Sequence, residues 1–153
     1  MNKAQPGKGL GFVLEDFTPY RIVALGHGIS KQLAAVYDDE NITIPEWRVL
    51  AVIAQASSVA ARDVVRKTPM DKMSVSRAVT GLEQKGLVRR ASDPNDRRVA
   101  AMSLSPEGRA LFDRIAALAL SFEQDLLSAL TPAQARNFAE ALDKLGGRVR
   151  EEK

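Results

Sequence analysis

A proline at position 69 separates two segments of helical pattern in the middle of the chain. Because proline lacks an amide hydrogen and its ring clashes with the preceding turn, the helix that begins at about Val59 must end near Thr68. The next helix begins after Asp71, whose side chain is a good N-cap, and ends at Gly86, since helices often end in a left-handed glycine. The sequence therefore predicts two short helices joined by a tight turn.

The second of these helices has one apolar face and one polar face. Val75, Val79 and Leu82 fall on the same side of a helix that turns about 100° per residue. The opposite side carries mostly polar residues, namely Met73, Arg77, Thr80 and Gln84, flanked by Lys72, Ser74 and Ser76. We expect the apolar side to be buried and the polar side to point away from the core.

After Gly86 the pattern changes to two strand-like segments, LVRRA and RVAAMSL. The residues between them, Ser92-Asp93-Pro94-Asn95-Asp96, favour turns, so the pattern predicts a β-hairpin with a charged tip. Asp96 and Arg98 are two positions apart, and side chains at this spacing point the same way in an extended backbone. We therefore expect the Asp96 carboxylate to brace the Arg98 guanidinium.

Positive charge is concentrated in the same region. Residues 62–98 hold ten Lys and Arg against five Asp and Glu, a net charge of +5, whereas the rest of the chain holds twelve against fourteen, a net charge of −2. Such an asymmetry is typical of a protein that binds a polyanion, although a solvated, salt-bridged surface has the same composition. Two helices, a turn and a basic hairpin in this order favour a winged helix-turn-helix that binds double-stranded DNA.

Helices are also predicted before this region. Thr18 and Pro19 supply an N-cap and a first helical residue, and Asp38 to Asn41 interrupt the helix that follows. A capping box of Thr43 and Glu46 opens the next helix. Apolar residues recur at helical spacing in the first helix, at Ile22, Leu25, Ile29, Leu33 and Val36. Residues 1–11 mix Gly, Pro and Lys without a period, which predicts a mobile tail.

Two more helices are predicted after the hairpin. They begin at Ser105-Pro106 and at Thr131-Pro132, and Gly146-Gly147 ends the second of them. Their apolar stripes are Leu111, Ile115, Leu118, Phe122 and Leu126, then Phe138, Leu142 and Leu145. Together with the first helix, these stripes are larger than the region between residues 60 and 104 can cover. A partner surface is therefore expected, with three-layer packing in a monomer as the alternative.

Length and composition limit the classes of protein to which this chain can belong. A chain of 153 residues suits one domain, and no apolar run approaches the roughly 20 residues that span a bilayer. With no secretory signal pattern, we expect a cytoplasmic protein without a membrane partner. The absence of cysteine and the single histidine leave no expected metal site or cofactor. No nucleophile with a base, no GxxxxGK(S/T) loop and no metal-ligand spacing is present, so we expect no enzyme activity.

The string SVSRAVTGLEQKGLVRRASDPNDRRVAAMSLSPEG resembles the MarR family of bacterial transcription regulators. The resemblance covers roughly residues 12–148, and EQKGLV, DPNDRR and MSLSPEG are its most specific parts. It implies a mainly α fold with a small β-wing and an obligate-type homodimer. In such a fold, residues 18–57 and 105–148 form the dimerisation helices and scaffold, and residues 58–104 form the DNA-binding lobe, all within a single domain spanning 12–153.

The resemblance also implies how DNA is contacted. The recognition helix would place in the major groove a set of side chains that suit base edges and phosphates: Lys72, Met73, Ser74, Ser76, Arg77 and Thr80. The wing would contribute Arg89, Arg90, Asp96, Arg97 and Arg98, with Arg97 and Arg98 in the minor groove. Lys72, Lys85, Arg89 and Arg90 are candidates for phosphate contacts. Each of these cations could instead be a solvated surface residue.

Family members of this kind often release DNA when a small phenolic or aromatic carboxylate binds. Aromatic and cationic residues that could form such an effector site are Tyr20, Arg21, His27, Tyr37, Trp47 and Arg48. An arginine beside aromatic side chains suits an organic anion, because the ring stacks while the guanidinium binds the carboxylate. A CoA thioester is a second candidate effector. Core packing for Tyr37 and Trp47, and a surface position for the others, are the simpler interpretations.

The function expected from these features is a sequence-specific, ligand-responsive repressor. A two-fold dimer would bind a pseudo-palindromic operator whose half-sites are about 10 base pairs apart. The alternative is an architectural or nonspecific DNA-binding protein without effector control. Base discrimination separates the two, because a specific regulator loses about 1–3 kcal/mol for each mismatched base pair.

Overall fold

The computed structural model describes residues 11–93 and 95–150, and the predicted N-terminal tail lies outside this part except for Gly11. The described residues form a mainly helical fold with one small antiparallel sheet, as predicted. The helices are α1 (Thr18–Val36), α2 (Ile44–Ala54), α3 (Ala61–Lys67), α4 (Lys72–Gln84), α5 (Pro106–Leu127) and α6 (Pro132–Arg150). The strands are β1 (Val59–Ala60), β2 (Val88–Ser92) and β3 (Ala100–Leu104).

The chain divides into two compact units, one that ends at Ile44 and one that begins at Pro45. In the first unit, short 3-10 turns at Leu14–Asp16 and Asp38–Glu40 flank α1. Asn41 adopts a left-handed backbone with φ of 55°, which confirms the predicted interruption after the helix. The division of the chain at residues 57 and 105 stays a prediction.

The N-terminus of α1 differs from the prediction. Phe17 occupies the N-cap position and makes no side-chain cap hydrogen bond, whereas Thr18 is already helical. Pro19 still lies in the first turn, where its missing amide hydrogen costs nothing. The ring of Phe17 instead packs on Phe12, with ring centroids 5.2 Å apart. Thr18 as the cap was therefore wrong, because Thr18 already belongs to the helix and Phe17 takes the cap position without a side-chain hydrogen bond.

The apolar stripe of α1 is largely exposed. Ile22 and Val36 are exposed, Leu25 retains 53% of its accessible surface, and Ile29 and Leu33 are half-buried. No residue of α1 is buried. This helix presents apolar surface that its own packing leaves accessible to solvent.

The core of the second unit lies between its helices and its sheet. The strand order is β1–β3–β2, and all neighbours are antiparallel. Val59 pairs with Met102 and Ala60 with Ala101, and all four residues are buried. Val59 was predicted as the start of a helix, which is wrong. Two residues of β-branched or small type extend here because β3 offers them partners, and α3 begins only at Ala61.

The predicted two-faced helix is α4. Val75, Ala78, Val79 and Leu82 are all buried, which confirms the inner stripe and adds one alanine to it. After the helix, Gly86 has φ of +71°, a conformation that favours glycine. The amide of Leu87 then donates to the carbonyl of Leu82 at 2.9 Å, so the chain reverses directly into β2.

Ser105 joins the end of α4, the start of the hairpin and the start of α5. It is buried, and its Oγ donates to the carbonyl of Gly86 at 2.6 Å and accepts from the amide of Gly108 at 3.0 Å. Its backbone amide donates to the carbonyl of Leu87 at 3.0 Å. A Cβ at position 108 would overlap the carbonyl oxygen of Leu87, so glycine there permits the close approach. Ser105 therefore holds three elements together, two through its hydroxyl and one through its backbone amide.

The two C-terminal helices begin as predicted. Thr131 and Gln134 form a reciprocal capping pair at the start of α6, at 2.9 and 3.2 Å. The predicted end at Gly146-Gly147 is wrong, because α6 continues to Arg150, whose Nε donates to the carbonyl of Gly146 at 3.1 Å. A helical glycine costs only about 1 kcal/mol, which side-chain contacts of this kind offset.

The apolar stripes of these helices are only partly covered. Leu111 and Ile115 are buried in α5, whereas Leu118 is exposed. In α6 no residue is buried, and four large apolar residues on one face are exposed, namely Phe138, Leu142, Leu145 and Val149. None of the helices in the described part of the chain is long and apolar enough to cross a membrane.

We expect Ser105→Ala to lower the free energy of unfolding by about 2–3 kcal/mol in urea denaturation. The change removes an N-cap and leaves the carbonyl of Gly86 without its partly buried donor. Thr131→Ala removes an exposed cap of the same type and should cost only about 1 kcal/mol. Equal losses in the two variants would contradict the three-element role of Ser105.

Candidate nucleic-acid interface

The outer face of α4 is accessible along its length. Met73 retains 70% of its accessible surface, Lys72, Ser76, Arg77 and Thr80 are exposed, and Ser74 is half-buried. The hydroxyl of Thr80 donates to the carbonyl of Ser76 at 3.0 Å, which leaves its lone pairs available as acceptors. The structure therefore brings the predicted recognition-helix residues together on one surface.

Asp71 fixes the start of this surface. Its carboxylate accepts from the backbone amide of Ser74 at 2.7 Å, which confirms the predicted N-cap. That hydrogen bond, together with the hydroxyl of Ser74 and the positive charge of Arg77, holds the pKa of Asp71 below its ordinary value. The cap is therefore charged near neutral pH and interacts favourably with the N-terminus of α4.

The hairpin is tied to α4 by an exposed ion pair. Arg90 on β2 donates from Nε and Nη2 to the two carboxylate oxygens of Glu83, both at 3.0 Å. This bidentate geometry orients the hairpin relative to the recognition helix. Arg89, the neighbouring residue, is exposed on the opposite side of the strand. Of the two predicted phosphate contacts on β2, Arg90 is thus already paired within the chain.

The hairpin tip is shaped by aspartate side chains that bind backbone amides. Asp93 accepts from the amides of Asn95 and Asp96 at 2.7 and 3.3 Å, and Asp96 accepts from the amide of Arg98 at 3.0 Å. The predicted bracing of the Arg98 guanidinium by Asp96 is therefore wrong. Arg97 and Arg98 lie in a turn, and β3 begins only at Ala100, so the alternation of an extended strand does not apply. Both arginine side chains are exposed.

Lys85 follows the last residue of α4 and binds a buried carboxylate. Its Nζ lies 2.7 Å from Oε2 of Glu46, whose residue keeps only 6% of its accessible surface. Glu46 was predicted to cap the start of α2, and Lys85 was predicted to contact a phosphate. Their pairing could not be read from local pattern, because the two residues are 39 positions apart.

The second unit also contains a cavity that the sequence did not indicate. Its volume is about 400 Å³, and it lies between α3, α4 and the hairpin. Val65, Val75, Val79 and Met102 form much of its wall. Polar side chains from Arg62, Lys72, Ser76 and Arg90 complete the lining. Among the described residues, no cluster of three or more side chains could hold a metal ion.

The predicted effector residues fall in both units. In the first unit Tyr20, Arg21 and His27 are exposed on α1, and Tyr37 is buried. In the second unit Trp47 and Arg48 are half-buried on α2. Tyr37 therefore has the accessibility of a core residue, whereas the three residues on α1 are open to solvent.

Within the second unit, Trp47 belongs to an aromatic and cationic cluster that the sequence missed. Its ring stacks on Phe112 with centroids 5.8 Å apart and an interplanar angle of 18°. The guanidinium of Arg109 lies 5.6 Å from the centroid of the Phe112 ring, and its Nη2 donates to the carbonyl of Ala54 at 3.2 Å. Phe112 and Arg109 are three positions apart on α5, a spacing that places them side by side.

Comparison with known proteins gives a consistent assignment. Residues 40–99 match the model of the MarR family. The HTH-type transcriptional repressor Rv2887 of Mycobacterium tuberculosis is 25% identical over 127 residues, which cover 83% of this chain and 91% of that protein.

Two solved structures have the same fold. The MarR family transcriptional regulator SPO1453 of Silicibacter pomeroyi is 27% identical with a TM-score of 0.79, covering 90% of this chain and 98% of that one. BpsR of Bordetella bronchiseptica, whose DNA binding is regulated by 6-hydroxynicotinic acid, is 22% identical with a TM-score of 0.80. That alignment covers 88% of this chain and 96% of BpsR.

Asp71→Ala should lower the midpoint of thermal unfolding near neutral pH, and Asp71→Asn should lower it less, because asparagine also caps helices. The charge of Asp71 stabilises the fold above its ordinary pKa, and this contribution is lost as pH falls through the lowered folded-state pKa. The difference in midpoint between wild type and Asp71→Asn should therefore stay constant above about pH 5 and shrink below about pH 4. A gap that grows on acidification would contradict this sign.

Proposed function

We propose that this chain, whose residues 40–99 match the MarR family model, is a winged-helix transcriptional regulator of that family. It represses transcription from a pseudo-palindromic operator until a small organic anion releases it. The observation that carries the proposal is the outer face of α4. It presents one arginine, several hydroxyls and an exposed methionine on a helix whose inner face is anchored in the core. A helix of this kind fits the major groove of B-form DNA.

Arg77 carries base recognition in this proposal. It lies at the centre of the outer face of α4, and a guanidinium can donate to O6 and N7 of one guanine at the same time. Ser76 and Thr80 lie beside it and suit either bases or phosphates, while Met73 suits a thymine methyl group. Ser74 donates its amide to Asp71, and therefore belongs to the start of the helix as much as to the DNA contact.

Arg97 and Arg98 contact the minor groove in this proposal. Both are exposed at the hairpin tip, where Asp93 and Asp96 hold the backbone through amide hydrogen bonds. A preformed loop loses less entropy when its arginines enter a groove. Arginine prefers narrow, A·T-rich minor grooves because their potential is strongly negative. Lys72 and Arg89 are exposed and are the proposed phosphate contacts.

A two-fold dimer supplies the symmetry of the operator. The exposed apolar residues of α1, α5 and α6 form surfaces that a second copy of the chain would cover. Two recognition helices in one dimer would then read half-sites about 10 base pairs apart on one face of the duplex.

The proposed effector is an aromatic acid that binds beside Trp47. The stacked rings of Trp47 and Phe112 offer an aromatic surface, and Arg48 and Arg109 offer positive charge. Tyr20, Arg21, His27 and Tyr37 lie in the first unit and stay candidate effector residues from the sequence. The regulation of BpsR by 6-hydroxynicotinic acid supports a ring with a carboxylate as the ligand class. A CoA thioester of such an acid is a larger candidate.

Arg77→Ala should remove discrimination at the base pair that this side chain reads. The operator is first obtained by selection from random duplexes with the wild-type protein, and binding is then measured by fluorescence anisotropy across a salt series. We expect the ratio of affinities for the selected duplex and its single-base variants to fall about 10- to 100-fold at one position. Arg66→Ala, which removes an exposed arginine of α3, is the control and should leave that ratio unchanged. Wild-type protein that selects no sequence would favour nonspecific binding instead.

Trp47 allows direct detection of the effector, because it is the single tryptophan of the chain. We expect 6-hydroxynicotinate or another aromatic acid to quench its fluorescence and to dissociate the selected duplex over the same concentration range. Arg48→Gln should weaken both effects about tenfold, since it removes a cation from the proposed site. Arg148→Gln, the same change on exposed α6, should alter neither. Quenching without release of DNA would separate binding from regulation.

A further inference from the structure

Glu46 is the only charged side chain that is buried in the described part of the chain. It lies in the first turn of α2, and its partner Lys85 lies at the C-cap of α4. A carboxylate is favoured at the positive N-terminal end of a helix, and an ammonium group is favoured at the negative C-terminal end. The pair therefore joins two helix ends of opposite polarity, with 2.7 Å between Oε2 and Nζ.

The same carboxylate also lies against the backbone of α4. A Cβ added at Gly81 would overlap Oε1 of Glu46 and would lie 3.4 Å from Cδ of the same glutamate. Any side chain at position 81 would thus displace the carboxylate. Glycine is unfavourable inside a helix, and here it leaves room for the Glu46 side chain against the backbone of α4.

These contacts lie on the side of α4 that also carries Arg77. Arg77, Gly81 and Lys85 are spaced by four residues, so they form one row in which successive positions differ by about 40° around the helix axis. The buried apolar residues of α4 attach the helix to the core, but apolar contacts are not directional. A hydrogen-bonded ion pair and a backbone contact at one side of the helix resist its rotation.

We propose that Glu46 is a positioning residue for DNA reading: by binding Lys85 and packing on Gly81, it fixes the rotation of α4 and with it the direction of Arg77. This inference rests on the operator binding proposed above. At an outer radius of about 5–6 Å, a rotation of about 10° moves a side-chain tip by about 1 Å. Recognition geometry tolerates errors of only about half that size. Loss of the Glu46 contact therefore reduces specificity more than it reduces nonspecific attraction.

Lys85 has a different role in this proposal from the one its charge suggests. An exposed lysine that neutralises a phosphate adds about 0.9 to the slope of log affinity against log salt concentration. Lys85 keeps only 31% of its side-chain surface accessible and is already bound to a carboxylate. It acts on DNA through the position of α4 and leaves the salt slope unaffected.

The test measures affinity for the selected duplex and for its variant at the base pair read by Arg77. Glu46→Gln keeps the shape of the side chain and removes its charge, and we expect discrimination to fall about tenfold. Gly81→Ala should cause a similar loss even though alanine raises helix propensity. In the Arg77→Ala background, Glu46→Gln should cause no further loss, since the residue it positions is gone.

Three controls keep the proposal falsifiable. Glu140→Gln removes the same charge from a helix but breaks an exposed pair with Lys144 on α6, and should change discrimination by less than about twofold. Gly147→Ala adds a methyl group to a helical glycine with open space around it, and should change nothing. If Glu46→Gln fails to fold, as judged by circular dichroism and thermal midpoint, Gly81→Ala alone decides the matter.

Two results would overturn the inference while the proposed function stands. The first is that the wild-type protein discriminates between the selected duplex and its variant, and that Glu46→Gln and Gly81→Ala both discriminate equally well. The other is a fall of about one unit in the salt slope of Lys85→Gln with discrimination intact, which would make Lys85 a phosphate contact. Wild-type protein that selects no sequence would instead overturn the proposed operator binding and this inference together.

Discussion

Burial of one face of α4 is the constraint on which the DNA-binding lobe depends. Val75, Ala78, Val79 and Leu82 are all buried, and burying an aliphatic side chain of this size contributes about 1.5–3 kcal/mol. Because the helical period links every position, burying these residues turns Arg77 and Met73 toward solvent. Ser105 then holds the end of this helix against the hairpin and α5. The position of the hairpin therefore depends on the same core.

Local signals in the sequence predicted most of this arrangement. Asp71 and Ser105 cap their helices through their own side chains, and Gly86 takes the left-handed conformation expected of it. Such features depend on residues within four positions of one another, which a sequence pattern contains. The two faces of α4 followed from periodicity for the same reason.

The features that the sequence could not supply depend on distant partners. Val59 and Ala60 form a strand because Met102 and Ala101 pair with them. A strand of two residues is too short to show an alternating pattern in the sequence. The Glu46–Lys85 pair and the stacking of Trp47 on Phe112 join separate elements of the second unit. At the hairpin tip, a turn replaced the expected extended backbone, so Asp96 binds the amide of Arg98.

Ion pairs inside the lobe decide where its positive charge can act. The net charge of +5 in residues 62–98 suggests a uniformly basic surface. Glu83 binds Arg90 and Asp63 binds Arg66, while Glu46, which lies outside that segment, binds Lys85. Seven exposed cations of this segment lie outside these ion pairs, namely Arg62 and Lys67 on α3, Lys72 and Arg77 on α4, Arg89 on β2, and Arg97 and Arg98 at the hairpin tip. Four of the seven therefore lie on the two elements that are proposed to enter the DNA grooves.

The exposed apolar faces of α1 and α6 link this footprint to the proposed two-fold assembly. Phe138, Leu142 and Leu145 lie on one side of α6, at a spacing that suits packing against another helix. A soluble chain rarely leaves such a stripe in water, because covering it stabilises the protein by about 25 cal/mol for each Å² removed. If a second copy covers it, the distance between the two Arg77 side chains is set by helices that never touch DNA. A ligand that alters how those helices pack would then change operator affinity without entering either groove, so ligand binding and DNA binding would be energetically coupled.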